Sequence, residues 1–217
     1  MITASDIPIG EQFSRHIICV TGTMAAGKNA VSDILARHGY LCLDADKLVH
    51  QVLALPDTQQ QVLQAFEGAA AARGISLTTA DGTLDRRALG TLLFSHKALL
   101  AKQEALVHPK IDALIAAFIA EHPSENIVLN AAVLYKVKSL CVCDTIFFVT
   151  APLFTRLRRA VRRDNLKKSH ILARFWQQRN LFAKYKNQNA DVYKVSNTGT
   201  IQALEKKVAA LLEELKS

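Results

Sequence analysis

The sequence predicts an α/β fold built on a parallel sheet of about five strands. Short apolar runs rich in β-branched residues alternate along the chain with longer segments that carry apolar residues at helical spacing. Parallel strands need such crossover segments between them, and the helices then cover both faces of the sheet. Half of the 217 residues are apolar, which is enough to fill the interior of a three-layer arrangement.

A glycine-bounded loop separates the first predicted strand from the first predicted helix. An apolar run over residues 17–20 breaks at Gly22, and a helical pattern resumes at Gly27 and Lys28, with Gly39 as its expected C-terminal cap. The pattern G-x-x-x-x-G-K is that of a phosphate-binding loop, because its backbone N–H groups can converge on phosphate oxygens. An ordinary corner between a strand and a helix would show the same glycines. The residues expected to bind the phosphates of a nucleotide are Gly22, Thr23, Met24, Ala25, Ala26, Gly27, Lys28, Asn29 and Ala30.

Asn29 departs from the usual end of this pattern, where Ser or Thr offers a hydroxyl to Mg²⁺. An Asn side chain offers a neutral carbonyl oxygen instead, carried one bond further out. Because Mg²⁺ prefers oxygen ligands and usually keeps several waters, we expect Asn29 to hold the metal through that oxygen or through a water.

The second predicted strand, residues 40–43, reads as buried and ends at two carboxylates, Asp44 and Asp46. The carboxyl ends of parallel strands form the edge where α/β proteins bind ligands. One carboxylate can also cap the helix that begins near Lys47. We assign the cap to Asp44 and the chemistry to Asp46.

The rest of the chain supplies a long helical region, three more strands and a last helix. Residues 47–122 have helical spacing apart from a loop at 73–82, and Pro109 predicts a helix start after His108. Further strands are expected at 127–130, 145–150 and 191–195, followed by a turn at 197–199 and a helix from about Thr200.

The net charge of +8 comes from 27 basic and 19 acidic residues, and the basic residues concentrate in 156–168. A basic run is most often a solvated helix face. Here a second amphipathic helix over residues 169–186 follows it, so the two would form a helical hairpin above the strand ends. Because the charge is local, it favours a phosphate-rich ligand over a nucleic-acid surface.

Composition also bounds the class of protein. No apolar run approaches the roughly 20 residues of a membrane span, and residues 1–15 lack the layout of a signal peptide. The four cysteines do not have metal-ligand spacing, and Cys19 and Cys42 lie in apolar runs that predict buried, reduced thiols. We therefore expect a cytoplasmic chain.

These parts, in this order, resemble the dephospho-CoA kinase family over nearly the whole chain from Ile17 on. Besides Asn29, one departure stands out: residues 131–135 (AAVLY) replace the family's P-L-L-x-E, so its Pro and Glu are missing. The segments that carry the resemblance are the glycine loop, 43–46 (LDAD), 81–89 (DGTLDRRAL) with Phe94, 106–111 (LVHPKI), 159–164 (RAVRRD), 173–178 (ARFWQQ) and 190–199 (ADVYKVSNTG).

The resemblance implies the P-loop NTPase fold with two helical additions. Its parts are a core of residues 16–46, 125–154 and 189–217, a helical substrate-binding insertion at 47–124, a helical lid at 155–188, and an N-terminal extension at 1–15.

The resemblance also implies ATP-dependent phosphorylation of the ribose 3′-hydroxyl of dephospho-CoA, the last step of CoA synthesis, with Mg²⁺. Lys28 would hold the ATP phosphates, and Asp46 would orient and deprotonate the acceptor hydroxyl. Arg159 and Arg163 would close on the γ-phosphoryl group. Asn197 would bind ATP, and the residues implied for the acceptor are Asp44, Asp46, Arg86, Arg87 and His108. A purely structural contact beside Pro109 explains His108 equally well as acceptor binding does.

Two other classes of function stay open. One is a P-loop kinase that acts on another nucleoside or nucleotide. The other is a non-catalytic nucleotide-binding relative, which Asn29 and the missing Glu would suit. In each case we expect a monomer or weak homo-oligomer without a nucleic-acid or membrane partner.

Overall fold

A five-stranded parallel sheet lies at the centre of the fold, in the strand order β2-β3-β1-β4-β5. The computed structural model describes residues 15–94, 96–132, 142–164, 168–186 and 190–215. The strands are β1 (Ile17–Gly22), β2 (Leu41–Asp44), β3 (Ile127–Asn130), β4 (Thr145–Thr150) and β5 (Asp191–Ser196). The predicted α/β fold class is confirmed. Three residues of the divergent segment, Val133, Leu134 and Tyr135, lie outside the described residues.

Helices cover both faces of the sheet. Side chains alternate between faces along β1, so Ile17 and Cys19 enter one apolar cluster while Ile18 and Val20 enter another. The first cluster faces the helices between β2 and β3, and the second faces α1 (Lys28–Arg37) and α9 (Ile201–Glu214), which gives the predicted three layers. The helices of the described residues are α1 (Lys28–Arg37), α2 (Ala45–Ala54), α3 (Pro56–Ala71), α4 (Arg86–Phe94), α5 (Lys97–Glu121), α6 (Leu153–Asp164), α7 (Lys168–Gln177), α8 (Leu181–Lys186) and α9 (Ile201–Glu214).

Strand β2 is not the buried strand that its composition predicts. It lies at the edge of the sheet and pairs with β3 alone, so its residues are half-buried and Cys42 is exposed. Apolar composition cannot distinguish an edge strand from a central one, because the neighbours of a strand are set by distant segments. The expected burial of Cys42 is therefore wrong, whereas Cys19 in the central β1 is buried.

Helix α5 runs without a break through Pro109, so the predicted helix start at this residue is wrong. Proline removes one backbone hydrogen bond and crowds the preceding turn, at a cost of about 3 kcal/mol. Val107, Ile111 and Ile115 form a buried stripe on the same helix, and burial of each aliphatic side chain contributes about 1.5–3 kcal/mol. Packing on both sides of Pro109 therefore outweighs the proline.

The predicted single helix over residues 169–186 is two helices, α7 and α8, separated by a turn at residues 178–180. Ile171 and Phe175 of α7 pack against α6 in a small cluster of their own. Tyr185 of α8 instead belongs to the main core, where the buried Thr21 hydroxyl donates to its hydroxyl oxygen at 3.0 Å. The two halves of the predicted helix thus pack on different parts of the molecule.

The described helices include none that could cross a membrane, because each is too short or too polar.

The end of β1 passes very close to β4. A Cβ atom added at Gly22 would lie 2.2 Å from the backbone carbonyl oxygen of Val149, and Gly22 has a φ of +154°. The Val149 carbonyl belongs to the backbone of the sheet, which cannot move away from an added Cβ atom as the end of a flexible side chain can. A glycine is therefore required where the loop leaves the sheet.

We expect Gly22→Ala to lower the free energy of unfolding by about 2–3 kcal/mol, because the new methyl group forces β1 and β4 apart. Gly68→Ala is the control, because a Cβ added at this position in α3 meets nothing within 4 Å. This control should raise the same free energy by about 0.5–1 kcal/mol through helix propensity. Urea denaturation measures both, and similar effects of the two changes would contradict the close approach.

Candidate active site

The loop between β1 and α1 has the geometry of a phosphate-binding turn. Gly27 caps α1 with a φ of +97°, and a Cβ there would lie 2.1 Å from Nδ2 of Asn197. Ala25 also has a positive φ, of 60°. A loop with alternating backbone handedness points successive N–H groups to its concave side. The strand, loop and helix predicted for this segment are confirmed.

Two carbonyl groups of this loop accept hydrogen bonds from side chains outside it. Arg156 Nε donates to the Met24 carbonyl oxygen at 2.9 Å, and Arg159 Nη1 donates to that of Ala26 at 3.1 Å. The buried Asn197 side chain donates to the same Ala26 oxygen at 2.8 Å. Two predicted site residues, Arg159 and Asn197, therefore contact the loop through the Ala26 carbonyl group.

Arg156 supports the loop in a way that the sequence analysis missed. Its guanidinium lies 4.1 Å from the centre of the Phe175 ring, which ties α6 to α7 as well as to the loop. Burial lowers the pKa of the Arg156 guanidinium below its usual value. A signal was present in the sequence, because residues 156, 159 and 163 are spaced three and four apart and so share one helix face.

The two predicted catalytic groups from the core face each other. Lys28 Nζ lies 3.2 Å from Asp46 Oδ2, and Asp46 Oδ1 accepts the backbone N–H of Ala132 at 3.2 Å. The Asp46 side chain is 51% exposed and the Lys28 side chain 14%, so the carboxylate is open to a ligand. Asp44 caps α2 by accepting the N–H groups of Asp46 and Lys47, and this predicted cap is confirmed.

Asn29 is paired with a second amide that the sequence analysis did not name. Nδ2 of the buried Asn130, at the end of β3, donates to Asn29 Oδ1 at 3.0 Å. The Asn130 Oδ1 atom is buried and has no hydrogen-bond partner among the described residues. The signal that could have found Asn130 is its place as a polar residue at the end of an apolar strand (IVLN).

The loop, Lys28, Asn29, Asp46 and Arg159 line one cleft of about 570 Å³. The side chain of Gln178, directly after α7, reaches into it and accepts the backbone N–H of Met24 at 2.6 Å. The described residues that line the cleft are 22–29, Asp46, Ala132, Arg159, Arg163, Arg174, Gln177 and Gln178.

Several predicted site residues are not part of this lining. Arg86 and Arg87 are exposed in the first turn of α4, which Asp85 caps, and His108 is half-buried within α5. Roles in acceptor binding for these three residues stay predictions. Asp44, Asn197 and Ala30 also lie outside the lining, although the first two support it through their hydrogen bonds.

Comparisons with known proteins agree with this arrangement. A family model described as dephospho-CoA kinase matches residues 16–202. A dephospho-CoA kinase of Treponema pallidum is 38% identical over 199 residues, which cover 90% of this chain and 93% of that protein. One from Treponema denticola is 35% identical over 204 residues, which cover 92% of this chain and 89% of the relative.

A solved structure has the same fold. The crystal structure of TT1252 from Thermus thermophilus superimposes with a TM-score of 0.75 at 29% identity, over 93% of this chain and 98% of that one. The match of the family model spans the sheet, the cleft and the inserted helices. The chain therefore belongs to the dephospho-CoA kinase family.

Proposed function

We propose that the protein transfers the γ-phosphoryl group of ATP to the ribose 3′-hydroxyl of dephospho-CoA, giving coenzyme A. The observation that carries this proposal is the Lys28–Asp46 pair at 3.2 Å, which lies in a cleft between the phosphate-binding loop and the lid arginines. Phosphoryl transfer asks a protein chiefly for positioning and charge neutralisation, and this cleft offers groups for both.

The loop and the lid supply the groups for ATP. Backbone N–H groups of the loop and the N-terminus of α1 bind the phosphates, and Lys28 pairs with the β- and γ-phosphates. Arg163 and Arg159 line the same cleft from α6, from which they stabilise charge on the group in transfer. Arg159 does so from a position fixed by its bond to the Ala26 carbonyl.

Asp46 acts on the acceptor hydroxyl. Its carboxylate is held by the Ala132 N–H on one oxygen and by Lys28 on the other. When the ATP phosphates take Lys28 as their partner, the second oxygen becomes available to the 3′-hydroxyl. Asp46 then orients this hydroxyl and accepts its proton as the hydroxyl oxygen attacks phosphorus.

The residues at the end of β3 and the start of α1 fit a magnesium site. Asn29 Oδ1 and the unpartnered, buried Asn130 Oδ1 are neutral oxygen ligands of the kind that Mg²⁺ accepts directly or through water. When bound, Mg²⁺ would neutralise charge on the β- and γ-phosphates.

We further infer a cytoplasmic enzyme, because the described cysteines Cys19, Cys42 and Cys143 are free thiols, which a reducing compartment maintains. A monomer or weak homo-oligomer stays our expectation.

We expect the purified protein to consume ATP only when dephospho-CoA is present, and to form coenzyme A in equal amount. Coupled detection of ADP and mass spectrometry of the product measure the two quantities. Nucleosides and nucleoside monophosphates serve as competing acceptors. Faster turnover with one of these would replace the proposed acceptor, and ATP binding without any transfer would indicate a non-catalytic binder.

Asp46→Asn should lower turnover by about 10²–10⁴-fold, because the amide cannot accept the proton of the hydroxyl. The affinity for ATP should stay nearly unchanged, since Asp46 acts on the acceptor. Asp33→Asn on the exposed side of α1 is the matched control and should retain turnover. Steady-state kinetics and nucleotide titration give both values, and a loss below about tenfold would mean that Asp44 or solvent takes the proton.

Replacement of Asn29 tests the metal site. Asn29→Thr should keep transfer with Mg²⁺, because a hydroxyl restores an oxygen ligand. Asn29→Leu should raise the Mg²⁺ concentration for half-maximal transfer by about 10- to 100-fold, because the oxygen is lost. Titration of Mg²⁺ against transfer and against binding of a fluorescent ATP analogue separates metal binding from chemistry. Parent-like behaviour of Asn29→Leu would exclude position 29 from the metal site.

A further inference from the structure

Arg156 binds the phosphate-binding loop but does not line the cleft. Its Nε donates to the Met24 carbonyl oxygen at 2.9 Å, whereas Arg159 and Arg163 of the same helix do line the cleft. The Arg156 Nη2 atom is buried and has no hydrogen-bond partner among the described residues, which is costly for a cation. A residue in this position acts on a bound nucleotide through the loop and not by direct contact.

The hydrogen bond from Arg156 fixes one peptide group of the loop, the one between Met24 and Ala25. The C=O and N–H of a trans peptide point in opposite directions, so a carbonyl directed at Arg156 directs the Ala25 N–H away from Arg156. Ala25 lines the cleft, and Arg156 does not. The bond therefore keeps an N–H group, and not a carbonyl oxygen, on the side where phosphates would bind.

The conformation of Ala25 opposes this orientation of the peptide. Ala25 is the one non-glycine residue with a positive φ in the described part of the chain, at 60°. A Cβ atom disfavours this left-handed conformation, so an unrestrained alanine adopts it about tenfold less often than its favoured conformations. Glycine adopts both hands about equally. An external contact is therefore needed to hold Ala25 in place.

Helix α7 supports the contact that Arg156 makes. The Cζ atom of its guanidinium lies 4.1 Å from the centre of the Phe175 ring. Phe175 belongs to the small apolar cluster of α6 and α7, and Met24 and Ala25 pack against the same cluster. Because a stacked guanidinium is planar and rigid, its Nε–H keeps one direction. The cluster thus holds both the donor and the strained residue.

We propose that Arg156 is a positioning residue for ATP, because it holds the peptide between Met24 and Ala25 with its N–H group toward the phosphates. This assignment rests on the proposed function, which supplies the nucleotide. Arg156 replaces the conformational freedom that a glycine at position 25 would give. Without Arg156, the competent loop would fall to about one tenth of the molecules with Ala25, and to about one half with glycine.

Arg156→Met removes the donor but keeps a side chain of similar length beside Phe175. The apparent Kd for a nucleotide is the intrinsic Kd divided by the competent fraction. The Kd for a fluorescent ATP analogue should therefore rise about tenfold in Arg156→Met, and only about twofold when Ala25→Gly is also present. Fluorescence titration of the parent, the two single variants and the double variant measures this. Equal rises in both backgrounds, or none, would overturn the assignment.

Two further variants separate the position of Arg156 from its charge and from folding. Arg158→Met removes the same charge from an exposed position of α6 and should keep the parent Kd. Phe175→Leu removes the ring but leaves every charge in place, and should raise the Kd about threefold with Ala25 and little with Ala25→Gly. Circular dichroism reports on folding. If Arg156→Met does not fold, the result for Phe175→Leu decides.

Steady-state kinetics distinguish a positioning residue from a group that contacts the phosphoryl group in transfer. The KM for ATP should rise with the Kd in Arg156→Met, while kcat at saturating ATP and the KM for dephospho-CoA stay near the parent values. Saturating ATP restores the competent loop, because it binds only that form. A large fall in kcat with an unchanged KM for ATP would reject the positioning role.

The two proposals can fail separately. If the parent phosphorylates dephospho-CoA but Arg156→Met and Phe175→Leu keep the parent Kd, the role of Arg156 is wrong and the proposed function stands. If the parent binds the ATP analogue without phosphorylation of dephospho-CoA, the proposed function fails, and the Kd values in the two backgrounds still decide on Arg156. A parent that binds no ATP analogue rejects both.

Discussion

The active site depends on one constraint of the backbone: a loop that points its N–H groups inward turns its carbonyl groups outward. Those carbonyls need donors, because an unpaired buried carbonyl costs about 1–3 kcal/mol. Here the donors are Arg156 at Met24, and Arg159 with Asn197 at Ala26. The loop is therefore stabilised by helix α6 and by Asn197, which follows β5.

This arrangement couples helices α6 and α7 to the loop. Met24 has both of its backbone polar groups bound from these helices, the carbonyl by Arg156 of α6 and the N–H by Gln178 directly after α7. A phosphate that takes this N–H must displace the Gln178 side chain. Helix α8 is anchored in the core through Tyr185, so a displacement of Gln178 would affect α7 and not α8. Phosphate binding and the position of α7 are then parts of one equilibrium.

Local features of the sequence predicted the fold and the position of the glycine loop. Apolar runs located the strands, and the glycine spacing located the loop, because each of these signals is contained within a few consecutive residues. The Asp44 cap is equally local. Contacts that depend on folding were missed: Asn130 is 101 residues from Asn29, and Gln178 is 154 residues from Met24. Local rules failed at the edge strand β2 and at Pro109, because tertiary packing determines the structure at both places.

The charge distribution of the cleft bears on how a metal ion would reach it. Asp46 is the one carboxylate among the described residues that line the cleft, and it is already paired with Lys28. The residues that fit the metal, Asn29 and Asn130, are neutral amides, so they add no negative charge to attract a free divalent cation. Three arginines on the lining raise the positive potential further. A divalent cation in this cleft would therefore be attracted chiefly by the phosphates of a bound nucleotide and not by the protein.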